Sequence, residues 1–212
     1  MENKYSVVIQ PREIIDPVRT MKEDLGEKIG WFNSKNSLAH ITIFEFTSEK
    51  SQLDKTIQKL FKVCDTFTPF YVNLDHFDSY DNGAFFIGVN ENPKIPAKSI
   101  IKRTPKTSTI SNIKKRKTNE ELNLKIIMKK TQDSVGIKNI KKSTQPHVSI
   151  ARKLTPENLK IASELFTIID ITFLCKEIIL REFDPIKKQF FAIETFPFGS
   201  NPQPELIQGS LF

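Results

Sequence analysis

The order strand, helix, hairpin is predicted twice along this chain of 212 residues, and this repeat constrains the fold more than any other feature. In the first half, a strand at 38–46 is followed by a helix and by a hairpin that turns at 81–83. In the second half, a strand at 146–151 is followed by a helix and by a hairpin that turns at 184–185. Near-equal spacing of the same elements indicates an internal duplication. We therefore expect two related units, within one large domain or as two small lobes.

The predicted helices have recognisable boundaries. Apolar residues at helical spacing predict an amphipathic helix from Ile14 to about Trp31 and another that begins near Ser51. A helix over 122–135 takes the corresponding place before the strand of the second unit. Thr155, followed by a proline and an acidic residue, is a strong start signal for the last helix, because its hydroxyl can cap free backbone amides.

The strand that opens each unit carries a histidine and, two residues later, a hydroxyl side chain. These are His40 and Thr42 in the first unit, and His147 and Ser149 in the second. Residues i and i+2 of a strand point to the same face. Each imidazole is therefore predicted beside a hydroxyl, with the apolar residue between them on the other face. Two such strands brought together would surround one pocket with groups suited to acid–base chemistry on a phosphodiester.

Either histidine taken alone has a simpler interpretation, as a packed residue bonded to a backbone carbonyl. Because 31 of the 212 residues are Ser or Thr, a single such pair carries little weight. The repeat strengthens the functional interpretation, since the histidine strand opens both units. His76, the third histidine, has no hydroxyl two residues later, and we expect an exposed or capping role for it.

Cysteine content and hydropathy favour a cytoplasmic protein. Cys64 and Cys175 stand in apolar contexts without ligand-like spacing, so we expect free buried thiols, with neither a disulfide nor a zinc site. No stretch approaches the roughly 18 apolar residues of a membrane span, and the N-terminus does not resemble a signal peptide. We expect no membrane contact, and a monomer by default.

The net charge of +7 is concentrated in one segment. Residues 98–142 contain 14 Lys or Arg and 3 acidic residues, whereas the remainder has 18 basic and 22 acidic residues. Such a cluster favours a polyanionic partner such as RNA, and the alternative is a solvated insert. The stretch 93–121 is predicted to be a basic, polar insert, and 197–212 an extended tail.

The two histidine strands resemble those of the two-histidine (2H) phosphoesterase superfamily, specifically its 2′-5′ RNA ligase and cyclic phosphodiesterase branch. That family carries one His-x-Ser/Thr strand in each lobe, flanked by apolar residues. The second strand is the more specific match, because Pro146 before the histidine and Ala151-Arg152 after the strand are also typical. The resemblance covers roughly residues 5–92 and 122–196.

The resemblance implies a bilobal α+β fold with a pseudo-two-fold duplication. Each lobe would pack an antiparallel β-sheet with helices, and the active-site cleft would lie between the lobes. The chain would then be a single bilobal domain over 1–212. Lobe 1 would span about 1–92, with exchange of strands between lobes allowed, and lobe 2 about 122–196.

The resemblance also implies a metal-independent enzyme without a cofactor. His40 and His147 would act as general acid and base on 2′,3′-cyclic phosphate or 2′-5′ phosphodiester bonds of RNA or nucleotides. Thr42 and Ser149 would bind the phosphate oxygens. Arg152 would lie near the phosphate, unless it is an ordinary surface arginine. Which histidine is acid and which is base, and whether hydrolysis or ligation dominates, stay open.

Two other functions are compatible with the same residues. The basic segment 98–142 would suit an RNA-binding module on this fold with little or no turnover. A metallohydrolase using His40 and His147 is less favoured, because carboxylate or cysteine ligands at usable spacing are lacking. Phe44 could stack on a nucleobase, although a place in the core is the stronger expectation.

Overall fold

The computed structural model describes residues 2–90 and 123–201. The predicted insert 93–121 and most of the predicted tail lie outside the described residues. Within the described ranges the elements follow in this order: β1 (Glu2–Ile9), a 3-10 turn (Arg12–Ile14), α1 (Ile15–Ile29), β2 (Ile41–Glu49), α2 (Lys50–Asp65), β3 (Phe70–Tyr80), β4 (Ala84–Val89), α3 (Leu124–Val135), β5 (Lys141–Lys142), β6 (His147–Ala151), α4 (Pro156–Leu165), β7 (Ile171–Cys175), β8 (Glu177–Asp184) and β9 (Gln189–Pro197).

The nine described strands form one sheet in the order β7-β3-β4-β6-β2-β1-β8-β9, with the short β5 also pairing with β2. Every pairing in this sheet is antiparallel. The α+β class with antiparallel strands is therefore confirmed. Both sides of the sheet mix the two halves of the chain. On one side β3 pairs with β7 and β4 pairs with β6, and on the other side β1 pairs with β8. The strands β2 and β6, predicted to open the two units, are direct neighbours at the centre.

The helices and hairpins agree with their sequence signals. The Thr155 hydroxyl accepts a hydrogen bond from the amide of Asn158 at 3.3 Å, which caps α4 as predicted. Helix α3 begins after Asn123, whose side chain accepts from the amide of Ile126 at 3.0 Å, and it ends at Gly136 in the left-handed conformation. These caps satisfy backbone groups that would otherwise lack partners.

Strand β3 is longer than its sequence pattern predicts. Leu74 pairs with Val89 and His76 pairs with Gly88, so Asp75 is an extra residue in a β-bulge. A bulge shifts the alternation of buried and exposed side chains, and the polar residues after Leu74 therefore look like a loop in the sequence. The strand nevertheless continues to Tyr80.

A single hydrophobic core lies against the sheet, and all four described helices contribute to it. Its fully buried aromatic side chains include Tyr5, Phe44, Phe67, Phe85 and Phe173. Burial of each such side chain stabilises the fold by roughly 1.5–3 kcal/mol. Phe44 therefore belongs to the core. A second bulge, where the register of β2 against β1 shifts between Thr42 and Phe44, turns Phe44 to the face opposite Thr42.

The two cysteines are free and buried, as predicted. Burial raises the pKa of Cys64 to about 12 and raises that of Cys175 as well, so neither thiol ionises near neutral pH. None of the described helices is long and apolar enough to cross a membrane. Within residues 2–90 and 123–201, no three His, Cys, Asp or Glu residues lie close enough together to hold a metal ion.

The turn between β3 and β4 depends on Gly83, and we expect Gly83→Ala to destabilise the protein strongly. Gly83 has a φ of 78°, and a Cβ there would meet the backbone oxygen and nitrogen of Leu154. The loss of unfolding free energy should exceed the roughly 1–3 kcal/mol that a non-glycine residue at positive φ costs alone. Urea unfolding measures it.

Gly30→Ala is the matched control for this substitution. Gly30 has a similar φ of 77°, but nothing lies within 4 Å of a Cβ built there. The control therefore carries the backbone strain without the contact with Leu154. Equal losses in both variants would contradict the importance of that contact.

Candidate active site

The two histidine strands meet at a single residue pair, Ile41 in β2 and Val148 in β6. Both side chains are fully buried and belong to the hydrophobic core. Directly opposed residues of an antiparallel pair point to the same face. The residues on either side of this pair must therefore point to the opposite face, away from the core.

The four predicted site residues occupy those neighbouring positions. Extending the register by one residue in each direction places His40 opposite Ser149 and Thr42 opposite His147. Each imidazole thus has a hydroxyl beside it on its own strand and another across the sheet. Diagonal neighbours of this kind lie about 7–8 Å apart, which leaves room for a phosphate between the two histidines. All four side chains are half-buried, so the site is open on this face.

Both imidazoles are oriented in the same way. Nδ1 of His40 lies 2.6 Å from the carbonyl oxygen of Leu38, and Nδ1 of His147 lies 2.9 Å from that of Gln145. A carbonyl oxygen only accepts hydrogen bonds, so Nδ1 carries the proton in each ring. Nε2 is then the nitrogen that can take up or release a proton. His40 itself directly precedes β2 rather than lying inside it.

The surroundings of His40 favour its neutral form. Burial, together with the positive charges of Arg181, Arg152 and Lys22, lowers the pKa of His40 to about 3. The hydrogen bond to the Leu38 carbonyl acts in the opposite direction. Every charged group named here is positive, so the free site is electropositive around an unprotonated imidazole.

His147 experiences the same effects more weakly. Burial lowers the pKa of His147, and the charge of Arg152 adds to this, while the hydrogen bond to Gln145 opposes it. Two aromatic rings support its imidazole: Phe86 at a centroid distance of 4.8 Å, and Tyr80 edge-on at 6.0 Å. The orientation of His147 is thus fixed by strands β3 and β4 as well as by its own strand.

Arg152 follows β6, where its amide donates to the carbonyl oxygen of Asn33 at 3.1 Å. Arg152 is exposed, yet the positive charge of its side chain acts on both His40 and His147. The guanidinium therefore lies close enough to influence both imidazoles. All five residues predicted for the site are thus brought to one region of the sheet.

Lys22 is a residue of this region that the sequence analysis missed. It is only 2% exposed, and its ammonium donates to the carbonyl oxygens of Ser34 and Ser37 at 2.9 and 2.7 Å. These bonds hold the loop that leads to His40. Burial lowers the pKa of Lys22 to about 8, with a further effect of Arg152. The sequence did contain a signal of its burial, because Lys22 falls within the apolar stripe of α1.

His76 lies nearer to the site than its sequence context suggests. It is exposed, as predicted, and its Nδ1 lies 2.6 Å from a carboxylate oxygen of Asp75. Its ring covers Gly88, which pairs directly with His147. A Cβ at position 88 would overlap the His76 ring as it is placed here, so a larger residue would displace that ring.

An open cavity of about 520 Å³ adjoins the His147 side of the site. Its wall combines aromatic, acidic and amide side chains with one lysine: Asp75, His76, Asp78, Tyr80, Phe86, Gly88, Val89, Asn90, Lys125, Gln145 and Pro146. It is large enough for a nucleoside, and it shares Tyr80 and Phe86 with the surroundings of the imidazole.

Comparison with known families identifies the family of this chain. The family model described as the 2′-5′ RNA ligase superfamily matches residues 11–185. The chain belongs to this superfamily. The family predicted from the two histidine strands is therefore confirmed. A comparison with curated proteins finds no match.

Solved structures share the fold of this protein over nearly the whole chain. E. coli LigT complexed with NADP+ is 12% identical, covers 94% of this chain and 99% of its own, and has a TM-score of 0.56. E. coli LigT complexed with phosphate is 11% identical, with coverages of 93% and 98% and a TM-score of 0.53. The Thermus thermophilus protein TT0787 is 12% identical, with coverages of 95% and 100% and a TM-score of 0.58. At this level of identity the similarity establishes a shared fold.

Because the pKa values of His40 and His147 are lowered in the folded protein, we expect the protein to lose stability in acid. The pKa of His40 is about 3 in the folded protein and about 6.5 in an unfolded chain, so the unfolded chain binds more protons between these values. Stability should therefore fall as the pH drops from about 6.5 toward 3, by at most about 1.4 kcal/mol per pH unit for this group. His147 contributes in the same direction.

Urea unfolding at several pH values between about 5 and 7.5 measures this slope. His40→Asn removes the titrating group and should make stability less dependent on pH. An identical slope in the wild type and in His40→Asn would contradict the depressed pKa of His40.

Proposed function

We propose that this chain is a metal-independent phosphodiesterase with RNA ligase-like chemistry, acting on 2′,3′-cyclic phosphate or 2′-5′ phosphodiester bonds of RNA or nucleotides. The register of β2 against β6 is the observation that supports it most, because it places two imidazoles and two hydroxyls on one open face. Membership of the 2′-5′ RNA ligase superfamily supports the same class of substrate.

In hydrolysis of a 2′,3′-cyclic phosphate, Nε2 of one histidine takes a proton from water as its oxygen attacks phosphorus. The bond from phosphorus to one ribose oxygen breaks, and Nε2 of the other histidine donates a proton to that oxygen. The product is a phosphomonoester. Ligation follows the same kind of step, with a 5′-hydroxyl in place of water. General acid–base catalysis by two positioned imidazoles contributes roughly 10²–10⁴-fold for each proton transfer.

Thr42 and Ser149 donate hydrogen bonds to the non-bridging phosphate oxygens in this proposal. Negative charge grows on these oxygens in the transition state, and donors held by the sheet stabilise it without reorganisation. Arg152 adds positive charge on the β6 side of the site. Together these groups favour the transition state over the bound substrate.

In the proposed mechanism, one neutral histidine becomes an acid when the negatively charged substrate binds. In the free protein the pKa values of His40 and His147 are both lowered, so neither imidazole holds an extra proton at neutral pH. A bound phosphodiester anion opposes the surrounding cations and raises both pKa values. Substrate binding would thereby charge the histidine that later protonates the leaving oxygen.

The cavity beside His147 gives the substrate's nucleoside a place. Its volume of about 520 Å³ suits a nucleobase and its ribose, and Tyr80 and Phe86 offer aromatic surface for stacking. In this arrangement the phosphate lies between the histidines while the base extends toward β3.

The proposal is tested by incubating the purified protein with the four nucleoside 2′,3′-cyclic phosphates and with RNA that ends in a 2′,3′-cyclic phosphate. We expect phosphomonoester products, and turnover that persists after treatment with EDTA. Loss of turnover on chelation would contradict the metal-independent mechanism. Binding of RNA without turnover of any of these substrates would contradict the enzyme and favour an RNA-binding module instead.

A further inference from the structure

Arg181 is a buried cation that the proposed reaction does not yet use. It lies in β8 and is only 4% exposed. Its Nη2 donates to the hydroxyl of Ser6 at 3.3 Å, and its Nη1 donates to the side-chain oxygen of Gln10 at 3.5 Å. Its Nε is buried and has no hydrogen-bond partner among the described residues.

The register of the sheet brings this guanidinium toward His40. Ser6 pairs with Arg181 across β1 and β8. Ile9 pairs with Ile41 across β1 and β2, so one residue further Gln10 lies opposite His40. Gln10 therefore connects the two residues: its oxygen accepts from Arg181, and its backbone flanks the histidine.

The charge of Arg181 is poorly compensated for its burial. No carboxylate forms an ion pair with it in the described part of the chain. Glu45 is the acidic residue whose charge acts on it, but the Glu45 carboxylate pairs with Lys4 at 3.0 Å. The Phe190 ring lies 5.2 Å from the guanidinium carbon and offsets part of the cost.

A buried cation of this kind destabilises a fold unless it is paired. An apolar side chain of similar size would fill the same space in β8 at lower cost. Packing alone therefore does not account for the positive charge of Arg181 at this position. Such costly groups are concentrated at functional sites.

We propose that Arg181 is a positioning residue of the phosphate-binding site, which holds Gln10 beside His40 and supplies fixed positive charge on the β1 side of the phosphate. Arg152 supplies the corresponding charge on the β6 side. The inference rests on the proposed function, since it names a further determinant of the same site. The substrate's phosphate would then lie between cations contributed by both halves of the sheet.

The charged groups that act on His40 come from three elements. Arg181 belongs to β8, Arg152 follows β6, and Lys22 belongs to α1; all three lower the pKa of His40. Lys22 is already committed to carbonyl oxygens of the preceding loop. Among the described residues, Arg181 donates to the uncharged side chains of Ser6 and Gln10, so its positive charge is left to act on an anion in the site.

The test compares Arg181→Gln and Arg181→Lys with the wild type. Arg19→Gln is the matched control, because it removes the same charge from an exposed arginine of α1 that is paired with Asp16. Two quantities are measured in each protein: the affinity for inorganic phosphate by calorimetry, and the titration of the His40 imidazole by NMR. A thermal unfolding curve reports whether each variant is folded.

We expect Arg181→Gln to weaken phosphate binding about tenfold and to move the titration of His40 to higher pH, because one of its neighbouring cations is gone. Arg181→Lys keeps the charge and should restore the His40 titration, and Arg19→Gln should match the wild type. Unchanged phosphate affinity and His40 titration in a folded Arg181→Gln would overturn the proposal. If that variant does not fold, Gln10→Ala takes its place, and wild-type phosphate affinity in it would also overturn the proposal.

These readouts separate this inference from the proposed function. Phosphate affinity and the titration of His40 are equilibrium quantities, and neither measurement requires turnover. Shifts in Arg181→Gln without hydrolysis of cyclic phosphates by the wild type would support the role of Arg181 in an anion site and contradict the enzyme. Hydrolysis by the wild type, with no shift in Arg181→Gln, would contradict the role of Arg181 alone.

Discussion

His40→Ala and His147→Ala are each expected to lower kcat/KM for a nucleoside 2′,3′-cyclic phosphate by about 10²–10⁴-fold. In the proposed mechanism each substitution removes one of the two proton transfers. Because the two groups act in a single step, kcat/KM of the double variant should be only slightly lower than that of the less active single variant. Steady-state rates on purified proteins measure these losses.

His76→Ala is the matched control for these variants. His76 is also a histidine near the site, but it is exposed and bonded to Asp75, and it is not assigned a proton transfer. Because His76 lines the cavity proposed for the nucleoside, its loss should act on KM, and we expect its kcat to stay within a few-fold of the wild type. Near wild-type activity in His40→Ala or His147→Ala would contradict the mechanism.

Thr42→Val and Ser149→Ala are expected to lower kcat by about 10²–10³-fold each, as removal of single transition-state donors does in other enzymes. The loss should fall mainly on kcat rather than KM, because the donors act on charge that develops in the reaction. Valine keeps the shape of threonine, so the change in Thr42→Val is confined to the hydroxyl.

Thr47→Val provides the control on the same strand. Thr47 is exposed near the far end of β2, so its hydroxyl is remote from His40 in the strand. We expect no change in kcat. If Thr42→Val raises KM and leaves kcat intact, the hydroxyl binds substrate without stabilising the transition state.

Local patterns in the sequence predict most of the elements of the fold. Helical periodicity and the Thr155 cap locate the helices, and alternation with turn residues locates the last hairpin. The bulge at Asp75 hides the second half of β3, because one extra residue reverses the alternation from which a strand is predicted. The pairing of β2 with β6 depends on contacts between distant parts of the chain, and no local pattern specifies it.

The residues of the candidate site also differ in whether a local sequence pattern predicts them. His40 and Thr42, or His147 and Ser149, share a face because of a spacing within one strand, and the sequence predicts that directly. Arg181 approaches His40 only through the register of β8, β1 and β2, so sequence spacing contains no information on it. Lys22 is intermediate, because its place in the apolar stripe of α1 signals burial but not its partners.

The central claim is that His40 and His147 belong to one phosphate-binding site. The most direct measurement is an NMR titration of all three histidines of the protein, with and without saturating inorganic phosphate. We predict that phosphate raises the pKa values of His40 and His147 together, by placing one anion between them. A response of only one of these two imidazoles, or of neither, would contradict a shared site.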